Sequence, residues 1–170
     1  MKSFLKFAHF LFVLICVIIQ ISFIEHLRIF FISIDLILVV VIAVALFDGG
    51  VYGIFYGFLA GLLLDLVTSK IVGVNALIYS LIGYFTFKIK ELGLKKTILN
   101  YIILIFFFSE IDILLYSGIY YLFSLQSSSA KLALEMIINP VCNILIMFLV
   151  FPLIKAGTVK KEEIGFVYKD

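Results

Sequence analysis

Apolar residues run along this chain in long unbroken blocks, at about 7–24, 30–47, 50–67, 71–87, 98–125 and 132–154, each closed by a short polar or glycine-bearing break. Blocks of 17 residues or more match the roughly 20 apolar residues that an α-helix needs to cross a bilayer. The stretch Leu36 to Leu46 shows no alternation of apolar and polar positions, so the spans are helices and not the strands of a transmembrane barrel. The first block follows Lys2 and Lys6 in the manner of a signal peptide. No small-x-small cleavage site comes after it and further apolar blocks follow directly, which predicts a retained first helix. The turn Asp48, Gly49, Gly50 separates the second and third helices, the lysine-bearing stretch 88–97 divides the chain, and a loop is expected at 126–129. The fifth block, about 42 Å long at helical rise, has to tilt, bend or project from the bilayer.

Composition agrees with a membrane solvent. Of 170 residues, 65% are apolar and 14% charged, and the mean hydropathy is +1.28. This allows about six spans and leaves roughly 50 residues for loops and tails, too few for a separate catalytic domain. The expected fold is therefore an all-α integral membrane protein, one polytopic domain over residues 1–170 with six helices in a single bundle. Charge gives its orientation. Lys2, Lys6, Lys88, Lys90, Lys95, Lys96, Lys155, Lys160, Lys161 and Lys169 fall on one side, and only Arg28, Lys70 and Lys131 on the other. The positive-inside rule then places both termini in the cytoplasm.

Small residues point to close helix packing. Gly49, Gly53, Gly57, Gly61 and Asp65 follow one another at four-residue spacing, a ladder that drifts by about 40° per step and so turns toward different neighbours along its length. Such ladders supply association between helices in lipid, either inside one bundle or across a subunit interface, which leaves homo-oligomerisation open. In the fourth helix Gly73, Ala76, Ser80, Gly83 and Phe87 form a second small-residue seam, expected to pack on the third. Asn75 and Tyr79 lie four apart on another face, placed to bond each other or a neighbour.

Acidic residues are the unusual part. Asp35, Asp48, Asp65, Glu110, Asp112 and Glu135 fall within or beside spans. A carboxylate at the bilayer centre costs about 2.5 to 3.5 kcal/mol on insertion scales, so each has to be protonated, wet or paired. Asp35, Asp48, Asp65 and Glu135 are near enough to the span ends to snorkel or to pair with Arg28, Lys70 or Lys131. Glu110 and Asp112 are near mid-span and about 200° apart around the axis, on opposite faces. Tyr116, Ser109 and Ser117 are placed to satisfy one of them; the other is left for a partner, a cation or a polar ligand.

Catalytic and metal constellations are not evident. His9 and His26 are far apart, Glu162 and Glu163 lie in the tail, and no glycine-rich stretch carries the Lys and Ser or Thr of a phosphate loop. Cys16 and Cys142 sit in apolar segments as small hydrophobes. The chain is expected to be no enzyme, to need no cofactor, and to bind no nucleic acid, since its basic residues are few and scattered.

The central stretch carries a resemblance. Asp35-Leu-Ile-Leu, Gly53-Ile-Phe-Tyr-Gly-Phe-Leu-Ala-Gly-Leu-Leu-Leu-Asp65, Gly73-Val-Asn-Ala-Leu77, and Gly83-Tyr84 with Lys88 beyond it, together resemble the MreD family of rod shape-determining membrane proteins, most specifically from Gly53 to Tyr84. The resemblance implies a noncatalytic inner-membrane scaffold of the peptidoglycan elongation machinery. It would bind the bitopic protein MreC and, in assembly, MreB, RodA and a penicillin-binding transpeptidase. It also implies a fold like the substrate-binding components of energy-coupling-factor vitamin transporters. This supplies the alternative function, a membrane component that binds a vitamin-type substrate with Glu110, Asp112 and Asn139 lining its pocket.

Overall fold

The computed structural model describes residues 2–24, 34–68, 71–95, 97–123 and 129–166. Over these residues the chain is helical, without strands: α1 (Lys2–Ile19), continued by a π-helical turn over Gln20–Ile24, α2 (Leu36–Phe47), α3 (Gly50–Thr68), α4 (Val74–Glu91), α5 (Ile98–Leu122) and α6 (Ser129–Phe166). Among the described residues three stretches are long and apolar enough to cross a membrane, Gly50–Thr68, Ile98–Leu122 and Leu132–Lys155. The other helices differ from the uniform spans expected above. α2 begins at Leu36, with Asp35 as its N-cap, and its 12 residues reach only about 18 Å. α4 ends in a charged turn with Lys88, Lys90 and Glu91. α6 continues without a break through Pro140, Pro152 and the stretch expected to be a tail. Positions 30–33, most of the loop expected at 126–129, and Arg28, His26 and Lys70 lie outside the described residues, as does the side chain of Lys131.

The short α2 is the centre of the molecule. Every residue from Leu36 to Leu46 is buried, and the helix touches all five others. A helix that is apolar all round has no solvated face, so it is stable only when neighbours cover every side. α1, α3, α4 and α6 form most of that cover, and α5 packs against α4 and α6 at the periphery. At the end of the bundle where α2 stops, Asp48 donates its backbone N–H to Val44 O (2.8 Å), and Gly49 takes φ +114°, a left-handed cap that allows α3 to start at once. Phe47, Tyr101 and Phe151 close this end with edge-on ring contacts at 5.2–6.1 Å between centroids.

α3 and α4 are the most intimate pair, and the glycine ladder is the cause. A Cβ on Gly57 would lie 2.6 Å from Tyr79 O, one on Gly61 2.5 Å from Ala76 N, and one on Gly83 2.7 Å from the Gly53 carbonyl. Gly53 faces α2 instead, where a Cβ would come within 2.6 Å of Ala45 Cβ. The drift of the ladder around α3 thus turns Gly53 to α2 and Gly57 and Gly61 to α4. Gly49 and Gly73 serve differently: both have positive φ and open space around them, and they form the turns before α3 and α4.

This geometry has a direct consequence for stability in detergent. Gly61→Ala drives a methyl into the α4 backbone and is expected to cost about 1–3 kcal/mol, and Gly57→Leu more, read as a lower thermal midpoint. Gly118→Ala, at a helical glycine with nothing within 4 Å, is expected to leave the midpoint unchanged or raise stability by up to about 1 kcal/mol. Equal effects at Gly61 and Gly118 would contradict the packing described.

Candidate functional site

A helix that begins inside a bundle has backbone N–H groups with no intrahelical partner, which side chains have to meet. α2 begins in this way, and side chains from three segments meet its start. Leu38 N–H donates to Asp35 Oδ1 (2.9 Å), the N-cap bond. Leu36 N–H donates to Gln20 Oε1 (3.0 Å), whose amide nitrogen donates in turn to Ile34 O (2.9 Å). Asp35 N–H donates to Asn143 Oδ1 (2.8 Å).

The network continues outward. The Tyr79 hydroxyl of α4 donates to Asp35 Oδ2 (2.7 Å), and the Asn143 amide donates to Ser109 Oγ of α5 (2.9 Å) and to Asn139 Oδ1 one turn earlier in α6 (2.6 Å). Residues of the π-turn that ends α1, of the start of α2, and of α4, α5 and α6 are joined in one buried polar knot. Gln20, Asp35, Ser109, Asn139 and Asn143 are each 7% exposed or less.

Asp65 does the same for α4. It is completely buried and accepts from Gly73 N–H (2.9 Å) and Ala76 N–H (3.2 Å) at the start of that helix, and from the Asn75 amide (2.7 Å). The charge of an aspartate beside helix N-terminal donors is favourable on dipole grounds as well. Asp35 and Asp65, expected to snorkel or to pair with Arg28, Lys70 or Lys131, are both buried, and those cations lie outside the described residues or side chains. The aspartate oxygens are engaged within the bundle by backbone amides, a phenol and an amide side chain. Asn75 and Tyr79, left open between each other and a neighbour, both bond neighbours.

Beside the knot lies a polar cavity of about 70 Å³, at the end of the bundle opposite Lys88, Lys90 and Lys95. Its walls include Gln20, Asp35, Asn75, Tyr79, Asp112, Tyr116, Ser117, Glu135 and Asn139. Two of the three pocket residues expected from the transporter alternative, Asp112 and Asn139, are present. Glu110 is not: it lies on the other side of α5, partly exposed, with no hydrogen bond or ion pair to any described residue. Ser109, one of the residues placed to satisfy an acid, bonds Asn143 instead. Among the described residues no group of three His, Cys, Asp or Glu is arranged to hold a metal.

Sequence reasoning missed Asn143 and the capping role of Asp35 and Gln20. Signals for two of these were present. An Asp directly before an unbroken apolar run is an N-cap signature, and Asn139 and Asn143 at i, i+4 mark one polar line on an otherwise apolar helix. Nothing in the chain pattern places Gln20 beside Leu36.

Removal of single members of the knot should have graded effects on detergent stability. Tyr79→Phe loses one hydrogen bond and is expected to cost about 1 kcal/mol. Asp35→Ala loses the cap and strands the Tyr79 hydroxyl and Leu38 N–H, for about 2–4 kcal/mol. Thermal unfolding of the purified variants measures both, and an Asp35→Ala protein as stable as Tyr79→Phe would show that the cap contributes little.

No curated protein matches this chain, and no solved structure does. The family model described as rod shape-determining protein MreD matches residues 1–156, nearly the whole length over which the helices and the polar knot are built. The chain belongs to the MreD family.

Proposed function

We propose that the protein is a noncatalytic six-helix scaffold of the bacterial inner membrane that binds MreC and helps to maintain rod shape, working in assembly with MreB, RodA and a penicillin-binding transpeptidase. The family match supports the role in shape determination. The scaffold reading is carried by one structural observation: Gln20, Asp35, Asp65, Ser109, Asn139 and Asn143 bond to one another or to helix starts, while the outward faces of α3, α5 and α6 present large apolar side chains such as Phe55, Phe58, Phe106, Phe107, Ile137 and Phe148. Its working surface on this reading is the one it shows to lipid and to other helices.

All six helices cross the bilayer in this proposal. α2, too short to span alone, does so as the covered centre of the bundle. The lysine distribution supports a cytoplasmic side for both termini and for Lys88, Lys90 and Lys95, which on this reading leaves the polar cavity toward the opposite face. Asp65 and the ladder then orient α3 and α4 rather than receive MreC, because α2 and α4 already occupy the glycine faces.

The cavity is the one observation in favour of the vitamin-transporter reading, and its size weighs against it. Small-molecule sites commonly measure about 300–1,000 Å³, several times the 70 Å³ found here, which suits a few waters.

Depletion of the protein in its host is expected to turn rods into spheres with vitamin uptake unchanged, and purification in mild detergent to bring MreC along. Co-purification of an ATP-binding cassette subunit in place of MreC, or tight retention of a vitamin-like molecule, would sink the scaffold reading.

A further inference from the structure

Glu110 is twelve residues from each end of α5, about 18 Å along the axis from either end, and so at the middle of a helix apolar enough to span. Asp112, two positions on, is turned into the polar cavity. Glu110 is turned outward. The side chains around it on α5 are Ile103, Phe106, Phe107 and Leu114, each between 50% and 57% exposed, and it has no polar partner among the described residues. On a soluble protein this is an ordinary surface carboxylate. At mid-bilayer it is costly, and such groups in spanning helices meet a polar partner.

The shape of the surrounding surface suits a helix. An apolar groove of about 270 Å³ runs between α4 and α5, lined among others by Leu81, Phe85, Phe107 and Leu115. At 100° per residue, Glu110 and this groove flank a strip formed by Ile103, Phe107 and Leu114. A helix seated on the strip would insert side chains into the groove on one flank and meet the carboxylate on the other.

Charge complementarity selects the occupant. Acyl chains carry no donor. A second copy meeting the strip face to face would set a carboxylate against a carboxylate, and the described spans Gly50–Thr68, Ile98–Leu122 and Leu132–Lys155 have no Lys or Arg except Lys155 at an extreme end. We propose that the outward strip of α5 around Glu110, with the α4–α5 groove, docks the transmembrane helix of a partner that carries a basic side chain near mid-span. The proposal rests on the membrane-spanning scaffold reading and adds to it where the contact lies and what chemistry the partner brings.

The test uses the full-length protein with a fluorescent donor, reconstituted in phosphatidylcholine vesicles with acceptor-labelled 23-residue polyleucine helices that carry a central Lys, a central Glu or neither. The Lys helix is expected to associate about tenfold more tightly than the plain helix, the scale of one good interhelical polar contact in lipid. Glu110→Leu, which on an outward face leaves the detergent melting midpoint unchanged or higher, should abolish the difference. Glu110→Lys should transfer the preference to the Glu helix. Equal binding of the Lys helix to the wild type and Glu110→Leu overturns the proposal, and so does energy transfer between two labelled copies of the chain that Glu110→Leu removes, since that assigns the strip to a second copy. Failure of the scaffold reading appears separately, in cells, as rod shape retained on depletion.

Discussion

The start of α2 is the constraint from which the rest of the bundle follows. An apolar helix of 12 residues at the centre of the molecule has N-terminal amides with no partner inside the helix. Each needs an acceptor, and an unsatisfied buried donor costs about 1–3 kcal/mol. Asp35, Gln20 and Asn143 meet this need, and because they come from different segments the same bonds tie α1 and α6 to the centre. Tyr79 then draws in α4, and Ser109 draws in α5. In lipid, where no hydrophobic force holds one apolar helix to another, bonds of this kind and close packing are what give a bundle a single arrangement.

Close packing is supplied by α3 and α4. Gly57 and Gly61 bring α3 against the α4 backbone, and Asp65, one turn beyond Gly61, accepts the first amides of α4. The ladder and the aspartate at its end act as one device: the glycines set how near the two helices lie, and the carboxylate sets where along α3 the second helix begins. The left-handed Gly73 between them permits the tight return. Gly57, Gly61, Asp65, Gly73, Ala76 and Gly83, all within the stretch that carries the resemblance, shape this one helix pair.

Much of this was legible beforehand. The apolar blocks located the helices because length and continuity of hydrophobicity are local properties, and the small-residue spacings located the α3–α4 contact because four-residue repeats line one side of a helix. The reading of Asp35 and Asp65 as acids near span ends, free to snorkel or to pair with a cation, did not foresee that both cap helix starts within the bundle. Distance from the end of an apolar block measures depth only when the block and the helix coincide. At Asp35 the helix starts six residues inside the block, so the aspartate sits in the bundle as a cap.

Glu110 and Asp112 show the division most clearly. Their spacing alone determined that they lie on opposite faces of α5, since two residues turn a helix by about 200°. Which one faces inward was beyond the sequence, because periodicity measures angles between residues and not the rotation of the helix against its neighbours. That rotation was decided by contacts distant in the chain: Ser109 bonding Asn143, and Leu104, Ile105 and Phe108 buried against the core. The sequence by itself thus determined a membrane-solvated helical bundle with a glycine-packed pair and a polar interior. The tertiary structure alone decided that Asp112 belongs to the interior and Glu110 to the outside, because only packing sets how a helix is turned.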